Sequence, residues 1–272
     1  MCIRDSFPAI PEISFYAEIT SLFDQKPWNA IGRVRLRLFP FAIGLAFFIP
    51  LDLSFSCWFF FLLWKGQNVL GSIAGWKSLP NFPYKEAQSS GSYLCIGMLT
   101  LWMSRSHLKS IVKSIFFRNH RIDATEPMPY PLAILGLIGG ISLLVILSYQ
   151  AGMLIWMATL FFGIFFLLSI TVTRMRAELG HPAHELYWRG PDAIMLTSLG
   201  PKRLGMPTLS VISLFWGFTR AQRGHMMPHQ LEGFKLASGT SFQPTGRLIW
   251  AMMLAIIVGE VVYFWILLDS YY

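Results

Sequence analysis

From Leu38 to Trp64 the chain reads LFPFAIGLAFFIPLDLSFSCWFFFLLW, 27 residues with one charged side chain, Asp52. As a single helix it would extend about 40 Å at about 1.5 Å per residue. That exceeds the roughly 30 Å of hydrocarbon in a bilayer. Arg33, Arg35 and Arg37 precede the stretch and Lys65 follows it. A run this long and this apolar restricts the chain to folds that place it in a membrane. It is expected to be a spanning helix kinked at Pro50, where the backbone lacks a donor.

Composition agrees. Charged residues are 13% of the 272-residue chain, about half of the roughly 25% of an ordinary soluble domain, and the mean hydropathy is +0.51. The net charge of +8 comes from Lys and Arg that flank apolar runs and form no stripe of their own. That arrangement sets membrane orientation and is not the footprint of a nucleic-acid binder. Cys2, Cys57 and Cys95 are odd in number and give neither a disulfide framework nor a metal knuckle. They read as small buried hydrophobes. Met1 to Lys26 has no apolar core of the signal-peptide type. Met1 to Ser6 looks like adapter-derived sequence, and the chain stops three residues after Asp269, directly behind an apolar run. The expectation is a fragment cut at both ends, the C-terminal part of a longer protein.

Four more apolar runs follow. They are Gln88 to Ser104, a third that passes Pro127, Pro129 and Pro131 and continues to Tyr149, Met153 to Thr173, and Leu248 to Leu268. Gln150, Ala151 and Gly152 predict a tight corner that makes an antiparallel hairpin of the third and fourth runs. Gly136 and Gly140 have the small-xxx-small spacing that lets helices approach. Lys65 to Ala87 reads as a loop. His107 to Phe117 places Leu108, Ile111, Val112, Ile115 and Phe116 on one face, the pattern of an amphipathic surface helix. Leu204 to Thr219 is expected to be interfacial or re-entrant rather than spanning.

The fold class expected is therefore all-α, a polytopic transmembrane bundle of about five spans plus one or two interfacial helices. Residues 1–37 would be a cytoplasmic N-terminal segment. Residues 38–272 would be the membrane domain, with a large cytoplasmic loop over 174–247. Lys and Arg number 5, 3, 5, 0, 9 and 0 in the successive segments around five spans. This alternation puts the N-terminus in the cytoplasm and the C-terminus outside, in a bacterial inner membrane.

Candidate functional residues are the polar groups within apolar runs. A carboxylate at mid-span costs about 2.5–3.5 kcal/mol on insertion scales, so Asp52 should face protein or water. Ser56 lies one turn on, Ser54 is close by, and Pro50 leaves the carbonyl of Ala46 without its usual partner. A carboxylate, hydroxyls and an exposed carbonyl at a helix break are the groups with which secondary transporters hold cations. Glu260 has the same logic in the last run. Glu86 stands at the start of the second run, where an acid suits the helix N-terminus. At the cytoplasmic face, His181, His184, Glu185 and Arg189 could serve a headgroup-level site. HPAHE is not the HExxH zinc helix, because no glutamate lies between the histidines and Pro182 interrupts the turn. His225 and His229 add no third ligand, so neither a metal nor any other cofactor is expected. No phosphate loop or nucleophile elbow occurs. Arg174 and Arg176 read as contacts for lipid phosphates.

Three functions fit these residues. The first is a secondary-transporter-like protein that couples an ion or proton to a small solute through Asp52, Ser56 and Glu260. The second is a membrane-embedded enzyme on a lipid-linked substrate. The third is a non-catalytic membrane subunit or scaffold. Catalysis is the less favoured reading, and the partners expected are the bilayer, the missing helices of the full-length chain and a small-molecule or ion substrate.

The stretches PLDLSFSCWFF (Pro50 to Phe60), FPYKEAQSSGSY (Phe82 to Tyr93), TRMRAELGHPAHEL (Thr173 to Leu186) and MPHQLEGFKLA (Met227 to Ala237) carry a resemblance. The chain resembles an uncharacterised family of large bacterial polytopic membrane proteins. The resemblance implies further spans before and after this chain, and it brings no activity with it. The build, many spans with polar broken helices, is distantly similar to that of oligopeptide transporters.

Overall fold

The computed structural model describes residues 16–117, 128–180, 185–186, 189–219, 224–239 and 246–271. They fall into two compact units, Met1–Lys85 and Glu86–Tyr272.

In the first unit, β1 (Tyr16–Glu18) pairs antiparallel with β2 (Arg35–Arg37), with Tyr16 opposite Arg37 and Glu18 opposite Arg35. Two 3-10 turns, Thr20–Phe23 and Trp28–Ile31, fill the space between the strands. This ribbon is a small departure from an all-helical chain. The long apolar stretch then forms two helices, α1 (Pro40–Ala46) and α2 (Leu51–Ile73). Pro50 adopts φ −54° and ψ 142° between them. It offers no donor to α1, and its carbonyl accepts the amides of Leu53 and Ser54 to open α2.

The stretch is thus no single kinked span. Helix α2 also continues past Trp64 through Lys65, Gln67 and Asn68 to Ile73, where a loop was expected. Nothing in that segment breaks a helix until Gly75, which takes φ 75°. Lys65 is only 5% exposed. Its ammonium donates to the carbonyls of Ile31 at 2.9 Å and Arg33 at 2.8 Å and lies 4.7 Å from the centre of the Trp64 ring. Burying a lysine requires such partners, and here they tie α2 to the turn that precedes β2.

The second unit contains α3 (Lys85–Met103), α4 (Arg105–Phe117), α5 (Tyr130–Gln150), α6 (Ile155–Leu179), α7 (Pro191–Leu199), α8 (Pro201–Thr219), α9 (Met226–Gly239) and α10 (Gly246–Tyr271). Among the described residues, three helices are long and apolar enough to cross a membrane: α5, α6 and α10. The expectation of five is corrected to three. Helix α2 has Asp52 at its start and Lys65, Gln67 and Asn68 inside it, and α3 opens on Lys85, Glu86, Gln88, Ser89 and Ser90. Counting apolar letters missed this because it took helix boundaries from hydrophobicity, whereas backbone breakers set them.

Helix α6 is the hub. It buries Met157, Ala158, Phe161, Phe162, Leu168, Ser169, Thr171, Val172 and Thr173, whereas α10 buries no residue. The α5–α6 hairpin forms as expected. Gly152 turns at φ 102°, and the amide of Met153 bonds to the carbonyl of Ser148 at 3.0 Å. Gly136 and Gly140 meet nothing within 4 Å, so they make no close helix approach. Gly97 of α3 does. A Cβ there would lie 2.7 Å from Thr171 Oγ1 and 2.8 Å from Leu167 Cδ1. Thr171 also donates to the carbonyl of Tyr93 at 2.9 Å.

The segment 174–247, expected to be a loop, is largely helical. Its helices α7 and α8 fold back along α6. Ile194 of α7 packs with Leu168 and Val172. Met195 of α7 and Leu204, Val211 and Ile212 of α8 join Met153, Met157, Ala158, Phe161 and Phe162 in one apolar cluster. Pro207 comes within 3.6 Å of a Cβ on Gly152 at the hairpin corner, and Phe215 stacks near Phe161 and Phe162 at 5.5 and 5.8 Å. The pair therefore runs from the level of Val172 to that of Gly152 and returns. Gly200 and Gly205, with φ 75° and 74°, allow the reversal. Leu204 to Thr219, expected to be interfacial or re-entrant, folds back along α6.

Candidate functional site

The α7–α8 pair begins and ends at one place. Gly190 caps α7, and a Cβ at 190 would collide with Asp192 Oδ1 and lie 2.7 Å from the carbonyl oxygen of Thr219, the last residue of α8. The start of α7 and the end of α8 thus touch, and glycine is the residue that permits it. Proline follows at the first helical position, where a missing donor costs nothing. Asp192 follows in the first turn, where the helix dipole favours an acid. Asp192 Oδ1 is buried and has no hydrogen-bond partner among the described residues, an arrangement that costs free energy unless something else satisfies it.

Arg189, one residue before this cap, reaches back to α3. Its Nη2 lies 3.1 Å from Glu86 Oε2, with side-chain exposures of 16% and 63%. The amide of Arg189 bonds to the carbonyl of Leu186 at 3.1 Å. Leu186 is itself buried against Leu168 and Val172, with Tyr93 and Leu94 of α3 packed against the same cluster. The Arg189–Glu86 pair and, at the start of α7, the Asp192 carboxylate thus flank the facing ends of two helices beside α6. Such a constellation can bind an ion or a polar solute.

The other candidates lie as follows. Asp52 is exposed in the first turn of α2 rather than at mid-helix. The hydroxyl of Ser56 donates to its backbone carbonyl at 2.8 Å and not to its carboxylate. Ser54 is exposed beside it. Glu260 is exposed on α10. Glu185 is partly buried next to Leu186. His181 and His184 lie outside the described residues. Among the described candidates, Glu86 and Arg189 are brought together from distant segments by a side-chain ion pair. They were assigned separately, one to a helix cap and one to a headgroup-level site.

Arg174 and Arg176, expected to meet lipid, are both held by carboxylates. Arg174 Nη2 lies 2.9 Å from Glu178 Oε1, and Arg174 Nη1 donates to Thr100 Oγ1 at 3.2 Å. Arg176 makes a two-point contact with Glu232 of α9, through Nε to Oε1 and through Nη2 to Oε2 at 3.2 Å. That hydrogen-bonded guanidinium holds the Glu232 carboxyl below its ordinary range. His229 Nδ1 is 3.7 Å from Glu232 Oε2. His225 stands edge-on to Phe165 at 6.0 Å. Burial, with a smaller effect from His229, pushes the His225 imidazole below its usual pKa.

Sequence reading missed Asp192, Thr171 and Glu232. A signal for the first existed in Gly190-Pro191-Asp192, a helix-start signature. Glu232 has no local signal, because its partner lies on another helix.

This is a largely helical chain in which, among the described residues, three helices are long and apolar enough to cross a bilayer, consistent with a membrane protein. It belongs to the family of unknown function DUF6785, which it matches over residues 2–272. No curated protein and no solved structure gives a significant match.

Proposed function

We propose that the chain is a secondary-transporter-like protein of the bacterial inner membrane, or the C-terminal part of one, distantly analogous to oligopeptide transporters. The observation that supports this reading is the α7–α8 pair, whose facing ends meet at Gly190 and Thr219 beside the apolar length of α6. Leu168, against which that junction packs, lies six residues before Arg174, about 9 Å along the helix. Non-helical backbone at that depth is tolerated only where protein or water covers it. Discontinuous helices of this kind bring helix ends and carbonyls to a bound ion or solute in secondary transporters. Arg189, Glu86 and Asp192 supply the charges at that point.

Asp52, Ser54, Ser56 and Glu260 are the proposed coupling groups. Glu260 sits in a helix that buries none of its residues. A lone carboxylate at that depth needs protein or water beside it, and in this reading further helices of the full-length chain cover it. Lys and Arg are dense before α5 and between α6 and α10 and missing from the α5–α6 corner and after Arg247. That asymmetry favours a cytoplasmic N-terminal side and a C-terminus outside.

The test is full-length protein in liposomes loaded with a pH dye and offered a panel of amino acids and short peptides. Solute-driven proton movement is expected, and Asp52→Asn and Glu260→Gln should abolish it with normal incorporation. Unchanged flux in both variants removes the two acids as coupling groups. No flux with any solute under a proton or sodium gradient overturns the transport reading.

A further inference from the structure

A second site stands apart from the α7–α8 junction and does not depend on the transport reading. A cavity of about 940 Å³ is lined by residues of the first turns of α5 (Tyr130, Ala133), the last turns of α6 (Thr173, Arg176, Ala177), α9 and the first turn of α10 (Ile249). These are the same-side ends of all three helices fit to span a bilayer, so the cavity lies at the level of lipid headgroups. The volume is within the roughly 300–1,000 Å³ of small-molecule sites. Its α9 wall presents Pro228, Leu231 and Phe234, and its charges are Arg176, Glu232 and Lys235.

The charges can be counted. Arg176 and Glu232 neutralise each other in a two-point pair. Lys235 is exposed and forms no ion pair among the described residues, so among the described residues that line the apolar cavity one positive charge is left over. The flanking faces of α5 and α10 are also unburied, with Leu132, Leu135 and Trp250 exposed. A ligand that fits must carry a negative head and an apolar body and must arrive from the bilayer. We propose that this cavity binds one anionic phospholipid from the surrounding leaflet, its phosphate at Lys235 and its acyl chains against Leu231, Phe234 and Ile249.

The experiment is native mass spectrometry of the full chain released from detergent, titrated with dioleoyl phosphatidylglycerol or dioleoyl phosphatidylcholine. One phosphatidylglycerol should be retained in preference to phosphatidylcholine by about fivefold, the effect of one basic residue near an anionic surface. Lys235→Glu, an exposed change that leaves packing alone, should erase the preference. Ala133→Trp, which fills the cavity, should remove retention of both lipids, and Lys202→Glu, outside the cavity, should change nothing. Equal retention of the two lipids overturns the proposal. So does a preference that survives Lys235→Glu, or one that Lys202→Glu abolishes equally. Displacement of the lipid by inorganic phosphate alone would also overturn it, because the acyl chains would then contribute nothing.

Discussion

The guanidinium of Arg189 meets the carboxylate of Glu86 at 3.1 Å, joining the segment just before the α7 cap to the first turn of α3. Because Glu86 is largely exposed, the pair should contribute modestly. A double-mutant cycle with Arg189→Ala and Glu86→Ala is expected to give a coupling of about 0.5–1 kcal/mol, read from thermal unfolding in detergent. Additive single effects would mean that the contact does not persist in the folded protein.

Gly97 and Gly140 should respond in opposite ways to the same substitution. Gly97→Ala forces a Cβ into Thr171 and Leu167, an overpacking that costs about 1–3 kcal/mol. Gly140→Ala meets open space and should be neutral or stabilise by about 0.5–1 kcal/mol through helix propensity. Melting temperatures of the two variants, measured side by side, check this.

Acid should weaken the contact between α6 and α9 in two stages. The His225 pKa is lowered in the folded state, so the unfolded chain binds its proton first. Stability falls as pH drops below the unfolded histidine value of about 6.5. The Glu232 carboxyl is also held low, so the stability it contributes is present above about pH 4.3 and is lost as pH falls through its folded value. Unfolding curves from pH 8 to pH 3 should show the first loss vanish in His225→Phe and the second in Glu232→Gln.

The apolar side chains of α6 and α10 should differ in worth. Phe161 is fully buried and Phe264 is exposed. Phe161→Ala should cost about 3–5 kcal/mol. Phe264→Ala, on a helix with no packed face within this chain, should stay within about 0.5 kcal/mol. A large effect at Phe264 would mean that another surface covers α10 under the conditions of the measurement.

Lys65→Met should loosen the first unit. It removes the donor to the carbonyls of Ile31 and Arg33, which leaves two acceptors unmatched at a cost of about 1–3 kcal/mol. Faster proteolytic cleavage between Ile19 and Arg33 is the expected sign.

Local rules made much of this chain readable from its residues alone. Apolar length and missing charge identify α5, α6 and α10. The corner at Gly152 and the amphipathic helix α4 follow from turn chemistry and periodicity. The same rules misplaced the first span, because Pro50 ends one helix and starts the next, and α2 then carries Lys65, Gln67 and Asn68 with it. The carbonyls of Ile31 and Arg33 make Lys65 tolerable there, and carbonyl positions are not written in hydropathy.

The long apolar helices and the position of most others were therefore determined by residue order, since backbone propensity and side-chain transfer energy act over a few neighbours at a time. Tertiary structure alone decided that the polar-looking segment after α6 turns back along it, that Gly190 rather than Gly136 or Gly140 marks a close approach, and that Arg189 finds Glu86 and Arg176 finds Glu232. Each of these depends on which groups distant segments bring within a few ångströms of one another. Contact energies of that range have no signature in spacing along the chain.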